Sequence, residues 1–315
     1  MGTVDRFCRS VGQSFVATRL GSLLIALRPQ QWIKNALVFL PFLFAIGQAW
    51  SLDDLDPVPG LMGKLLVVFA AFCALSGAVY LLNDLSDRQA DQQHRVKRNR
   101  PIASGRVGVP TALTAMVALI ATGLAATFLI DPVLGAIGLV YLGINLSYSL
   151  GVKRIVLLDV IAVASGYVIR AVAGAVAIDV TPSPWLYATT AAGALFIVLG
   201  RRYAEVRLAG DGASEQRSVL SKYAGPFIGQ LLTISATAAW LSYTLYTVEA
   251  ENLPRNNTML LTIPLVTLGL FRYLYLLNTS EDAEAPEQLI IRDLPLVLSI
   301  IGWLVVASLV LILND

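Results

Sequence analysis

The chain has 315 residues, of which 56% are apolar and 14% charged, with a formal net charge of +2 and a mean hydropathy of +0.69. A soluble domain carries about 25% charged residues, so this composition excludes a water-soluble enzyme and makes the bilayer the solvent. Two cysteines, Cys8 and Cys73, exclude a disulfide framework, and a single histidine, His94, excludes a multi-histidine metal centre.

The first apolar stretch, 14–27, is interrupted by Arg19 and lacks a small-residue cleavage pattern, so it does not read as a signal peptide. Val16, Leu20, Leu23, Leu24 and Leu27 share one helical face. That spacing predicts an amphipathic helix lying in the membrane interface. An ordinary packed helix ahead of the first span has the same periodicity. Nine apolar stretches follow, near 35–49, 61–82, 109–129, 132–150, 155–177, 184–200, 225–247, 258–276 and 294–313. Each is taken as a helix, because a chain crossing lipid must satisfy its backbone internally. They are too long and too uniformly apolar for tilted barrel strands. The predicted fold is all-α, a polytopic membrane protein with about nine transmembrane helices. It is one bundle domain over 35–315, behind a cytoplasmic 1–34 segment with the interfacial helix.

Charge predicts the orientation. Cations fill the N-terminal segment (Arg6, Arg9, Arg19, Arg28, Lys34), the 83–108 loop, Lys153 and Arg154, and the run from Arg201 to Lys222. The opposite side holds mainly Asp53, Asp54, Asp56, Asp131, Asp179, Glu249 and Glu251, with only Lys64 and Arg255 as cations. The positive-inside rule makes the basic side cytoplasmic, with the N-terminus inside and the C-terminus outside. The acidic 277–293 loop departs from the pattern, but acids weigh little in that rule. The expected location is the cell's inner (plasma) membrane.

Chemistry-bearing residues cluster on that side. Asp84, Asp87 and Asp91 fall at i, i+3 and i+7, on one helical face at the end of a span. Acids stacked this way repel one another unless a cation sits between them, and oxygen-only ligands suit Mg²⁺, which binds one or two carboxylates plus substrate phosphates. A solvated helix end is the alternative. Asn83 flanks the cluster. The loop that follows carries Lys97, Arg98 and Arg100, and some of these suit phosphate recognition. Tyr148, Lys153 and Arg154 form an aromatic-basic loop, and Asp159 lies about one turn beyond, at a depth where an acid pairs or serves a site. Arg170 is deeper still and needs a partner. Arg201, Arg202, Tyr203 and Glu205 form a fourth patch, in which Glu205 offers a further metal contact.

At these residues the chain resembles the UbiA superfamily of intramembrane prenyltransferases, whose first aspartate-rich motif reads N-D-x-x-D-x-x-x-D. Asn83, Asp84, Asp87 and Asp91 match it. Arg100, Pro101, Ile102 and Gly105 match its R-P-I-x-x-G pattern, and Tyr148, Lys153 and Arg154 its Tyr…Lys-Arg loop. One branch, the decaprenyl-phosphate phosphoribosyltransferases, fits best. Arg28-Pro29-Gln30-Gln31-Trp32-Ile33-Lys34-Asn35 resembles its R-P-x-Q-W-x-K-N signature, and Gly200 to Glu205 its G-K-R-Y-A-E, with Arg201 in the lysine position. Arg292-Asp293 is also similar.

The resemblance implies a membrane glycosyltransferase that moves 5-phosphoribose from 5-phosphoribosyl 1-diphosphate (PRPP) to a polyprenyl (decaprenyl) phosphate, a precursor step for cell-wall arabinan. Asp84, Asp87, Asp91 and Glu205 would serve Mg²⁺, with Asp84 and Asp87 catalytic through it. Lys34, Asn35, Asn83, Lys97, Arg98, Arg100, Tyr148, Lys153, Arg154, Asp159, Arg201, Arg202 and Tyr203 would bind substrate. Membrane lipid is the expected surround, nucleic acid is not an expected partner, and a homo-oligomer is compatible with the pattern. The second reading is a prenyltransferase joining an isoprenoid diphosphate to an aromatic acceptor. A transporter or lipid flippase is a third, opposed by the lack of an internal repeat and by charges at one surface rather than the midplane.

Overall fold

The structure is a computed structural model that describes residues 18–94, 96–181, 183–209, 220–223, 226–251, 253–280, 289 and 292–314. The start of the expected interfacial helix and most of the acidic 277–293 loop lie outside the described residues. Among the described residues the regular structure is helical. In chain order it comprises α1 (Arg19–Ala26), α2 (Leu40–Leu43), α3 (Val58–Ser86), α4 (Arg88–Gln93), α5 (Val109–Ile130), α6 (Pro132–Leu150), α7 (Leu158–Ala177), α8 (Pro184–Ala209), α9 (Pro226–Glu249), α10 (Ile263–Thr279) and α11 (Leu294–Leu313). Short 3₁₀ helices link several of them.

Six of the described helices are long and apolar enough to cross a membrane: α3, α5, α6, α7, α10 with the turn before it, and α11. Helix α9 coincides with a further predicted span, whereas α8 begins with its predicted span at 184 but runs on to Ala209, past the expected end at 200; neither is among those six. The predicted 35–49 span is not one α-helix. A 3₁₀ helix occupies Pro29–Phe39, and Pro41 opens the single turn α2. Proline favours a helix start and cannot continue a preceding one. Beyond α2 the chain folds back: the Trp50 ring stacks on Phe42 at 4.8 Å and its Nε1 donates to the Phe42 carbonyl at 3.0 Å. Gly47, at φ 75°, allows that turn.

The chain divides into two compact units. The first combines Met1–Ala36 with Val67–Ser149. Its centre is α3 against α5 and α6, where glycines permit close approach. A Cβ on Gly123 would lie 2.8 Å from Leu75, and one on Gly138 3.2 Å from Leu124. Lipid offers little hydrophobic drive between helices, so such small-residue contacts carry much of the packing. Leu23 and Leu27 of the N-terminal region pack on a cluster of Ala26, Leu81, Ile102, Val107 and Ala112, while Leu20 and Leu24 are exposed.

The second unit combines Leu37–Leu66 with Leu150–Asp315. Here α8 lies along α9, α7 packs on α8, and α10 on α11. Gly174 of α7 meets the Val38 backbone so closely that a Cβ would fall 2.0 Å from its carbonyl oxygen. Arg272, midway along α10, ties that helix to the start of α11 by donating from Nε and Nη2 to Asp293 at 3.0 and 2.8 Å. Asp293 also caps α11 by accepting from Leu296 N at 3.0 Å.

Candidate active site

In the first unit the aspartate motif is built at the end of α3. Helix α3 stops at Ser86, and Asp87 (φ −93°, ψ 6°) interrupts the α register before α4. The expected three-carboxylate stack is therefore not a cage: among the described residues no three Asp, Glu, His or Cys side chains gather to hold an ion. What the structure brings together is a pair. Asp84 and Asp91 are buried, at 2% and 4% exposure, while Asp87 is half-buried. Arg100 Nη1 donates to Asp91 Oδ2 at 2.7 Å and to Asp84 Oδ1 at 3.3 Å. One nitrogen thus marks a point on which two carboxylates converge.

Asp84 Oδ1 also accepts from Arg28 Nη2 at 2.6 Å, and the Arg28 guanidinium lies over the Tyr80 ring at 4.9 Å. Arg28 adopts φ 54°, a left-handed conformation costly for a side chain with a Cβ. Its place in the R-P-x-Q-W-x-K-N signature is visible in the sequence, but its reach to a carboxylate 56 positions away is not.

The basic loop is placed by packing rather than by charge. Ile102 has no exposed surface and sits against Leu81 and Val107. Gly105 turns at φ 79°, and Val107 N donates to the Pro101 carbonyl at 2.9 Å. These contacts explain the R-P-I-x-x-G spacing, and they hold Arg100 at the carboxylates. Lys97 is half-buried and Arg98 exposed. Asn83 accepts from the Ser149 hydroxyl at 2.5 Å, a partner that sequence reading missed. Tyr148 and Lys34 are half-buried. Asn35 departs from expectation: it has no exposed surface and its amide donates to Cys73 Sγ at 3.1 Å, so it braces α3.

The second unit holds the other cluster. Asp159 opens α7 with no exposed surface. One of its oxygens accepts from Arg202 Nε at 3.1 Å and the other from the Tyr223 hydroxyl at 2.6 Å. Arg202, at 3% exposure, also pairs with Glu205, whose other oxygen accepts from Arg201 Nε at 3.0 Å. Arg201 is the exposed member. Asp159 therefore has no surface for direct substrate contact. Tyr203 donates to Asn278 at 2.6 Å and so joins α8 to α10. Lys153 is half-buried and Arg154 exposed, in the 3₁₀ turn before α7.

Comparison with known proteins decides the family. The model of the UbiA prenyltransferase family matches residues 38–294. The chain belongs to the UbiA prenyltransferase family. It is 35% identical over 288 residues to a decaprenyl-phosphate phosphoribosyltransferase of Mycobacterium tuberculosis, covering 91% of this chain and 93% of that protein. It is 32% identical over 295 residues to the protein of the same name from Mycolicibacterium smegmatis, covering 90% and 91%. Among solved structures, a UbiA homologue from Archaeoglobus fulgidus bound to DMAPP and Mg²⁺ aligns with a TM-score of 0.68 at 18% identity, over 93% of this chain and all of that one. The UbiA fold and an integral membrane protein follow from these matches and from the apolar helices.

Proposed function

We propose that this UbiA-family protein transfers the 5-phosphoribosyl group of PRPP to a polyprenyl phosphate, decaprenyl phosphate in the first instance, and releases diphosphate. The relatives that align along nine-tenths of the chain carry the name of that activity. The observation that carries the reading at the site is the convergence of Asp84 and Asp91 on one cationic nitrogen. The donor set fits Mg²⁺, which takes one or two carboxylates together with substrate phosphate oxygens. Asp84 and Asp91 would hold it, with Asp87 beside them. When bound, the ion would neutralise charge on the diphosphate leaving group.

The remaining roles belong to the chain's own cations. Arg28 and Arg100, each about 30% exposed over buried acids, can turn a guanidinium face to a diphosphate. Lys97, Arg98, Lys34, Lys153 and Arg154 supply further positive charge, and Asn83 and Tyr148 polar contacts. In the second unit Arg201 meets a substrate phosphate. Glu205 is assigned here to holding Arg201 and Arg202 rather than to the metal, because its two oxygens go to two different arginines. In the reaction the ribose C1–O bond to diphosphate breaks and its electron pair leaves with diphosphate. A lipid-phosphate oxygen forms the new C1–O bond. That oxygen is already ionised near neutral pH, with a second pKa of about 6, so no general base is needed. The basic residues support a cytoplasmic site in the plasma membrane, where phosphorylated metabolites are supplied.

The test is mass spectrometry of lipid extracts after incubation with PRPP, polyprenyl phosphate and Mg²⁺. The expected product keeps the ribose 5-phosphate, and diphosphate appears in equal amount. Polyprenyl diphosphate is a poor acceptor, because a displacement of about 1 Å already matters at a reacting centre. A prenylated aromatic with no phosphoribosylated lipid would overturn the proposal and favour the second reading.

A further inference from the structure

Tyr223 lies outside every motif above, yet it is the anchor of the second cluster. Its side chain has no exposed surface, and its hydroxyl uses both hydrogen-bonding capacities. It accepts from Leu157 N at 2.7 Å and donates to Asp159 Oδ1 at 2.6 Å, across 66 and 64 positions of sequence. The ring stacks near Phe227 of α9, with centroids 6.3 Å apart. Leu157 stands at φ 69°. A positive φ on a leucine is costly and persists only where its surroundings over-determine it. The hydroxyl that receives its N–H is one such constraint.

From Asp159 the contacts continue without a break. Arg202 Nε reaches Asp159, Arg202 Nη1 reaches Glu205, and Glu205 takes Arg201 Nε at 3.0 Å. Tyr223, Asp159, Arg202 and Glu205 are all buried, and only Arg201 opens outward. Buried polar chains of this kind have few alternative arrangements, because each unpaired member would bear a desolvation penalty. Burial, and then the bond to Asp159, push the Tyr223 hydroxyl above its ordinary pKa, so it stays a donor at working pH.

We propose that Tyr223 is a positioning residue that fixes, through Asp159, Arg202 and Glu205, the direction in which Arg201 presents its guanidinium to the phosphoribosyl donor. This rests on the donor reading given above. Loss of the hydroxyl leaves Leu157 N–H and Asp159 Oδ1 without their partner. Asp159 then turns, and the arginines lose a unique orientation.

The experiment is steady-state kinetics on the full chain in lipid nanodiscs, with both substrates varied. Tyr223→Phe is expected to raise KM for PRPP roughly ten-fold, the scale of one hydrogen bond to a charged group. KM for polyprenyl phosphate and kcat should stay within about two-fold of the parent values. Asp159→Asn, which keeps the shape, should give the same pattern. The double variant Tyr223→Phe with Arg201→Gln should be no worse than Arg201→Gln alone, because both act through one group. Additive losses, or a lower melting temperature with unchanged KM, would overturn the proposal. If Arg201→Gln itself leaves KM for PRPP unchanged, the assignment of Arg201 to the donor fails. If it raises KM and Tyr223→Phe does not, only the positioning role fails.

Discussion

The two clusters handle buried charge in opposite ways. In the first unit, buried acids sit beneath partly exposed arginines: Asp84 and Asp91 are inside, while Arg28 and Arg100 keep about a third of their side-chain surface. In the second, an arginine is itself inside. Arg202 is bracketed by Asp159 and Glu205, and the outward group is Arg201. A buried ion pair seldom adds net stability over an apolar replacement, whereas breaking one is costly. The first arrangement leaves cations that can be offered to a ligand and carboxylates that can take a divalent ion. The second fixes one arginine by committing another. On the proposed function, the contrast separates a site that would exchange partners from a scaffold that holds them.

Asp84→Asn tests the exchanging site most severely. Turnover should fall by about a thousand-fold or more, because an acid proposed to hold Mg²⁺ is lost, and removing divalent ions with chelator should do the same to the parent protein. The variant should remain folded in the membrane. Parent-like turnover at limiting Mg²⁺ would erase the distinction between the clusters. Arg100→Gln comes next. It removes the nitrogen shared by two acids, and kcat/KM for PRPP should drop by about ten- to a hundred-fold. Arg201→Gln should have a smaller effect, roughly ten-fold and confined to KM for PRPP. A larger loss there than at Arg100 would reverse the assignment of roles. Arg272→Ala is a control outside both clusters. It should lower the melting temperature slightly and leave both KM values unchanged, since Arg272 ties α10 to Asp293 and lies over the Tyr275 ring, away from both clusters.

Much of this was readable from the chain. The six strongly apolar helices follow from hydropathy and length, and the aspartate motif from its spacing. The 35–49 stretch misled because hydropathy registers apolar side chains, not backbone geometry. Pro41, Gly47 and the Trp50–Phe42 stack break it into turns. Asn35 misled for a related reason: a polar residue in a basic motif invites a ligand, and only packing shows it bonded to Cys73. The pairs Arg28–Asp84, Asn83–Ser149 and Asp159–Tyr223 span more than fifty positions each. No local periodicity encodes such distances. They depend on which helix faces meet, and that is a property of the packed whole.

Ile102 carries a consequence for how the charge site ages under mutation. Its side chain is sealed from solvent beside Leu81, two positions from the arginine that bridges the acids. Electrostatic aim is thereby leased from an apolar foothold. Shaving that foothold to alanine removes no charge, yet the cavity it leaves is expected to loosen the loop and with it the aim of the guanidinium. On the proposed site, the loop's tolerance of substitution is then expected to depend on methyl groups, so that drift in the apolar interior would be felt at the ionic surface.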